Sequence, residues 1–510
     1  MKVRALVVLA LALVASMPLM AQTCSNSQYT NTLICTLPQL FEPGGLTLLN
    51  PNHYAHFADN SESQFRPLNQ GIGQELSILP LGSAGSGTTF RVDSEGHAVP
   101  TEDSLGPILT ERANVIGKKA FTLGIAYQYF SFDKIDGINL HGFPAVLIHD
   151  GSDGLNAQNF ASFSYKNDYI VTSNELHLNL NQTVIYGVFG IAKRMDASIE
   201  VPIQSAHLRV SSVANIVRTQ PCERTQQLNP ALPNYLGGTC TDKDSKGNDL
   251  TVCGLLHFFG SPSNCQTAFN TVDATFPTPG APGLIQNKDG SFSTVQPRSA
   301  PPMTDATGIG DITIRGKYQV IPGEKFVGSV GLGIRFPSGD AKNFLGTGAY
   351  GVTPFGALTY RSKFSPHVRV GYEWNSHSVL AGDPTGATPA TASLPPAWLY
   401  SGGVDYRAMK RLTLGADLIG ERVLDARRVY SGSFLRLPET DGHTPITSES
   451  LQSVASIQAR TQSYSSDAIA VGGKVRLKGQ LVLTANATIR VDDGGLRANV
   501  VPLVGLSWSK

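Results

Sequence analysis

Through its C-terminal part the chain repeats one pattern: segments of roughly ten residues in which apolar and polar side chains alternate, joined in turn by tight turns and long connections. A period of two sends successive side chains to opposite faces of a strand, and no helix sorts residues this way. In residues 308–320, Ile312, Ile314, Tyr318 and Val320 share one face, and Asp311, Thr313, Arg315, Lys317 and Gln319 share the other. Residues 326–336 set Phe326, Val330, Leu332 and Ile334 against Ser329, Gly331, Gly333 and Arg335. The stretches 367–375, 398–407, 412–421, 469–477 and 481–492 divide likewise. Their polar faces carry Arg369 and Glu373, Asp405 and Arg407, Asp417 and Glu421, Lys474 and Arg476, and Arg490 and Asp492.

A soluble half-buried sheet also alternates, so the pattern alone does not choose between water and lipid. The connections do. Residues 321–324, 363–366, 409–411 and 478–480 read as tight turns, whereas 378–396 and 425–463 read as long loops, and short turns on one rim with long loops on the other is the outer-membrane arrangement. The last strand, with Val504, Leu506 and Trp508 alternating with Gly505 and Ser507, resembles the end signal read by the outer-membrane barrel assembly machinery. Its ending in Ser509-Lys510 departs from the usual terminal aromatic.

Residues 1–21 read as an export signal, with Lys2 and Arg4 ahead of an apolar stretch and Ala21 at a plausible cleavage edge. Beyond it no apolar run is long enough for a transmembrane helix, and the mean hydropathy is −0.06. The formal net charge of +1 falls by two, to −1, once Lys2 and Arg4 leave, which gives no basis for binding nucleic acid. All six cysteines, Cys24, Cys35, Cys222, Cys240, Cys253 and Cys265, follow the signal, and an even count in an exported chain favours disulfides. Proximity suggests Cys24–Cys35, Cys222–Cys240 and Cys253–Cys265, although six cysteines formally allow 15 pairings. Their spacing does not fit a metal site, and no metal is expected.

Residues 22–118 show no sustained period and are expected to form a plug or a periplasmic extension, with short helices around 70–78 and 105–116. The barrel opens at residues 119–133, with Phe121, Leu123, Ile125, Tyr127 and Tyr129 outward. A loop over 134–167, a strand over 169–181, a turn region over 182–195 and a strand from 196 follow, with Pro202 and a phase change near Ser205 implying a bulge or an early exit there. Residues 211–307, Pro- and Gly-rich and bearing cysteines, read as one large external loop. With residues 350–361 as a further strand, those so counted give an all-β, up-and-down antiparallel transmembrane barrel of about twelve strands over 119–510, an even number that puts both ends on the periplasmic side.

At Gly308-Ile-Gly-Asp-Ile, Lys317-Tyr318 and Gly331-Leu-Gly-Ile-Arg-Phe-Pro-Ser-Gly-Asp340 the chain resembles the outer-membrane barrel family associated with the MetA pathway of phenol degradation. Residues 186–202 are similar to that family's turn into its next strand. The resemblance runs from residue 119 to the end and implies a channel for small hydrophobic compounds. In the first motif Asp311 is expected to face the lumen near a rim and to pair with Arg315 or another basic strand residue.

No G-x-S-x-G elbow, H-E-x-x-H pair or phosphate loop occurs, so neither an enzyme nor a cofactor is expected. His53, His141, His149, Asp150, His367 and His443 are dispersed. The best constellation is the polar faces themselves. Asp311, Arg315, Lys317, Arg335, Arg369, Glu373, Asp405, Arg407, Lys474, Arg476 and Arg490, with Glu175 and Glu200, are expected to line the lumen in ladders of ion pairs that fill it or border a path. The expectation is an outer-membrane channel of a Gram-negative-type bacterium for passive uptake of small hydrophobic or aromatic molecules, its partners being membrane lipid, the assembly machinery and a small solute. The alternative is a surface-anchored adhesin whose disulfide-bonded loop binds a partner.

Overall fold

The computed structural model describes residues 32–38, 40, 46, 56–77, 79, 90–92, 98–100, 105–107, 109–150, 167–217, 240–243, 249–252, 271–275, 282–286, 292–297, 304–383, 390–437 and 451–510. Twelve antiparallel strands close into a barrel: β1 (Phe121–Phe132), β2 (Tyr169–Ala192), β3 (Met195–Val217), β4 (Ile312–Pro322), β5 (Phe326–Phe336), β6 (Gly351–Tyr360), β7 (Phe364–Asn375), β8 (Ala397–Met409), β9 (Leu412–Arg436), β10 (Gln452–Arg476), β11 (Leu481–Arg490) and β12 (Val500–Ser509). Each pairs with the next, and β12 pairs with β1 from Leu503↔Gln128 to Ser509↔Thr122. No sheet edge is left along the seam, as a strand surrounded by lipid requires.

The start of β1, the end of β12 and the turns after β2, β4, β6, β8 and β10 share one rim, where Phe121 and Lys510 exchange backbone hydrogen bonds of 2.8 Å. The long connections occupy the other. Above the tight-turn rim runs a continuous outward band that includes Leu123, Ile125, Ile185, Ile314, Val330, Leu332, Val368, Val370, Leu414, Leu418, Val504 and Leu506, all exposed. Aromatics border it on both sides. Phe121 packs on Trp508 (ring centroids 5.3 Å apart) and Phe364 lies near Tyr406 on the lower edge, while Tyr372 stands 4.8 Å from both Trp374 and Trp398 on the upper. An apolar belt between two aromatic girdles is the outer surface of a protein set in a bilayer.

Above that belt β2, β3, β9 and β10 continue, and their faces invert. Leu176, Leu178, Leu180, Leu208 and Val210 point inward and are buried, while Glu175 and His177 point outward into solvent. Glu175 is therefore not a lumen residue: alternation fixes the period of a strand but not which face lies inside. The longer strands also correct three expected boundaries. Residues 182–192 are strand, with the turn reduced to Lys193-Arg194; β9 and β10 stay paired out to Arg436↔Gln452 across what reads as a loop; and Phe143–Ile148 pairs with the top of β2. β3 runs straight through Pro202. The register step falls on the partner, between Ile309↔Ile203 and Thr313↔Glu200, where Gly310 donates to the Pro202 carbonyl at 2.8 Å. Asp305–Ile309 extends β4 beyond this step, and part of the 211–307 insertion, Thr271–Thr275, adds a strand against the upper part of β3.

The largest apolar core lies inside the barrel. Helices α1 (Leu33–Thr36) and α2 (Ala58–Ser77) sit within the upper part, where Phe57, Phe65, Leu68, Ile72 and Leu76 meet the inward leucines of β2 and β3, Val429 of β9 and Ile457 of β10. α2 spans more than the helix expected at 70–78. Among the described residues of 105–116 no helix forms: Gly106 has φ +90°, and the amides there donate to barrel side chains instead of to their own carbonyls. Among the described residues no helix is long and apolar enough to cross a membrane. Of the six cysteines, Cys35 alone has a described side chain, buried in this core and disulfide-bonded. The three expected pairings, the 1–21 signal, His53 and His443 lie outside the described residues.

Candidate functional site

Residues 105–118 cross the lower lumen and are fastened to the wall by backbone amides. Leu105 N–H donates to Thr413 Oγ1 at 2.9 Å, Leu109 and Thr110 N–H to Asp417 Oδ2 at 2.8 and 3.1 Å, Ala113 N–H to Thr359 Oγ1 at 3.0 Å, and Ile116 N–H to Asp196 Oδ2 at 3.1 Å. The plug therefore completes the bonding of lumen side chains from β3, β6 and β9. Its own charges do the same. Arg112 pairs with Asp405, and Glu111 takes Lys317 Nζ at 3.1 Å, with Arg369 Nε 3.6 Å away. Burial works to raise the Glu111 carboxyl, but the charges of Lys317, Arg369 and Arg315 outweigh it and hold it below its ordinary value.

His367 lies between two carboxylates, with Nδ1 3.3 Å from Asp405 Oδ1 and Nε2 3.0 Å from Asp417 Oδ1. The sequence places His367 on the polar face of 367–375 with Arg369 and Glu373, and otherwise marks it as one dispersed histidine. Its position opposite β8 and two residues along β7 from Arg369 was the available signal, and it needed the register of β7 to β8 to be read.

Higher in the lumen Arg315 pairs with Glu200 at 2.6 Å and Arg335 with Glu373 at 2.9 Å. Asp311 pairs with Arg335 (3.8 Å) and not with Arg315, and it also accepts from Gly339 N–H at 3.0 Å and Thr347 N–H at 2.8 Å. The two glycine motifs thus meet: Asp311 of the first ties down the loop that ends the second. Asp405 and Lys474 are buried beside the plug, Arg490 reaches the Leu496 carbonyl at 3.2 Å, and Arg407 is exposed near the tight-turn rim with Arg476 partly exposed at that level. Among the expected lumen residues, Arg407 and Arg476 are thus set apart from the main cluster.

Between the lower plug segment and α2 is a cavity of about 250 Å³. Arg315, Arg335, Arg369, Glu373, Asp311 and Arg490 border it, together with apolar Leu76, Leu79, Leu109, Leu399 and Ile419. Gln182 of β2, 1% exposed, also lines it, and neither its Oε1 nor its Nε2 has a partner among the described residues. Glu75 of α2 closes one side, against the Leu496 backbone and near Asp136, Arg428, Arg490 and Glu421. Burial, and then the Asp136 charge, push its carboxyl up to about 8.

With a closed barrel, an apolar belt and a plugged lumen established, comparison with known proteins bears on kinship. Residues 267–416 match the family described as "Putative MetA-pathway of phenol degradation". The matched stretch takes in β4 to β8 and both glycine motifs, and is shorter than the span over which the motifs resemble that family. An outer membrane channel from Pseudomonas putida F1 superposes with a TM-score of 0.39 at 10% identity, over 78% of this chain and 98% of that one. A Pseudomonas aeruginosa FadL homologue gives 0.25 at 9% identity, over 77% and 89%, and a TodX mutant, titled a monoaromatic hydrocarbon channel, gives 0.27 at 7%, over 77% and 89%. No curated protein matches the sequence. The membrane barrel is read from the strand pairing and outer surface above, and these weak superpositions add nothing to it.

Proposed function

We propose that this chain is an outer-membrane channel of a Gram-negative-type bacterium for passive uptake of small hydrophobic or aromatic molecules, with residues 22–118 as its plug. The observation that carries the reading is the cavity between the two parts of the plug. An apolar cavity of about 150 Å³ is enough to take benzene, so about 250 Å³ suits a single ring with a substituent. Leucine and isoleucine side chains supply the apolar contacts, and the Gln182 amide offers donors and an acceptor to one polar group. Because Arg315, Arg335 and Arg369 each face a glutamate, the wall carries little net charge with which to trap an ion.

The same reading takes residues 1–21 as a signal removed on export, 119–510 as the barrel with its long loop at 211–307, the cysteines as paired in sequence order, and the barrel assembly machinery as the partner in insertion. Liposome swelling with the purified full-length protein tests the transport claim. Beyond the background of protein-free vesicles, phenol-sized aromatics are expected to enter faster than polyols of similar mass, and faster again when 22–118 is deleted. No permeability in either form would overturn the reading.

A further inference from the structure

A polar cluster on the outer rim, away from the lumen, joins the plug to the wall. His56 stands just ahead of α2, and His149 and Asp150 directly follow the strand Phe143–Ile148. The two segments are already clasped: Asp150 N–H donates to the His56 carbonyl at 2.7 Å, and Ile148 N–H to Asn60 Oδ1 at 2.7 Å. The His56 and His149 rings lie with centroids 4.2 Å apart, and Phe57 packs edge-on against His149. His149 Nδ1 is 2.9 Å from Asp150 Oδ1, and His56 Nδ1 is 4.0 Å from the same oxygen.

We propose that His56, His149 and Asp150 bind a divalent transition-metal ion of the Zn²⁺ type, which pins the segment entering α2 to the barrel wall. One ligand atom from each residue lies within 4.8 Å of the others. In a tetrahedral site with bonds of about 2.0–2.2 Å, ligand atoms stand about 3.4 Å apart, so the cluster closes on an ion with small movements. The burial pattern accommodates them: His149 is held in the core at 2% side-chain exposure, while Asp150 at 61% and His56 at 23% lie nearer the surface. Two imidazoles and one carboxylate suit Zn²⁺, Cu²⁺ or Ni²⁺ better than Ca²⁺ or Mg²⁺, which take oxygen ligands. The exposed Asp150 leaves the ion open to the external medium, with water completing its shell. Without the ion, the same residues are a hydrogen-bonded packing contact, and the experiment separates the two.

Tag-free full-length protein, stripped with a chelator, is titrated with Zn²⁺ by calorimetry. One ion per barrel is expected, with affinity falling at least tenfold in the His56→Ala/His149→Ala double variant, and with Zn²⁺ slowing proteolysis of the plug in the wild type alone. Heat-modifiable migration on a gel checks that the double variant folds. If it does not, Asp150→Asn, at an exposed position, is expected to weaken binding in a barrel that does. Absence of stoichiometric binding by the wild type, or equal binding by folded variants, overturns the proposal.

Discussion

Asp417 serves two segments at once. Its Oδ2 accepts from two successive plug amides, and its Oδ1 faces His367. A hydrogen bond to a charged group contributes about 1.5–3 kcal/mol, and a buried donor left without an acceptor costs about 1–3 kcal/mol. Asp417→Ala is therefore expected to loosen the plug without unfolding the barrel. Single-channel recordings would show higher conductance of the full-length protein, with residues 105–118 newly open to protease, and unchanged conductance and cleavage would refute the role. Glu75 makes the upper attachment depend on pH. Its carboxyl is held near 8 when docked and returns toward its ordinary 4.5 when α2 swings into water. The docked state thus holds more protons than the undocked one between these values, so docking is strongest below about 4.5 and weakens as pH rises through about 8. Protection of α2 amides against hydrogen exchange, taken relative to the intrinsic rate at each pH, is expected to fall across that interval in the wild type and to stay flat in Glu75→Gln. None of these contacts is visible in the sequence. It shows that Asp417 and Asp405 share a polar face with Thr413 and Arg407, but their partners lie some three hundred residues earlier, in a stretch without a readable period.

Strands and helices were legible to different degrees. β4 to β8 and β10 to β12 alternate apolar and polar across the lipid belt, so their existence and inward faces follow from the sequence. β2, β3, β9 and β10 are longer than their pattern because outside the belt the outward face meets water, and the polar run Arg427-Arg428 followed by Ser431-Gly432-Ser433 then reads as loop. In α2, Pro67 reads as a boundary, since it lacks the N–H that a helix interior uses, yet packing of Phe65, Leu68 and Ile72 on one stripe carries the helix across it. Gly331, marked by the sequence as part of a motif, has a use only pairing reveals. It sits opposite Phe355 on β6, and a Cβ there would lie 2.3 Å from the ring. Gly331→Ala is expected to destabilise the barrel by about 1–3 kcal/mol through overpacking. The ring is the nearer obstacle, with the Gly316 carbonyl oxygen at 2.8 Å beyond it, so Gly331→Ala with Phe355→Ala should cost less than the two changes added separately. Urea unfolding of the four proteins in vesicles measures the cycle, and strict additivity would exclude the contact.

At the scale of the whole molecule one barrel wall runs through two solvents. Within the belt its outside is apolar and its inside polar; above the belt the outside is polar and the inside is a leucine-lined socket for the plug. An outward position must then respond to charge according to its height. Leu332, exposed midway along β5, faces the hydrocarbon, where an arginine costs about 2–4 kcal/mol. Ser173, outward on the upper part of β2, faces water, and arginine there should cost close to nothing. Leu176, three residues on, points into the socket, and arginine there should eject the plug while leaving the barrel in the membrane. Folding titrations into lipid vesicles distinguish the first two, and protease protection of α2 reports the third. If Leu332→Arg and Ser173→Arg fold with equal stability, the belt does not lie where the aromatic girdles put it, and the membrane assignment of the lower wall fails with it.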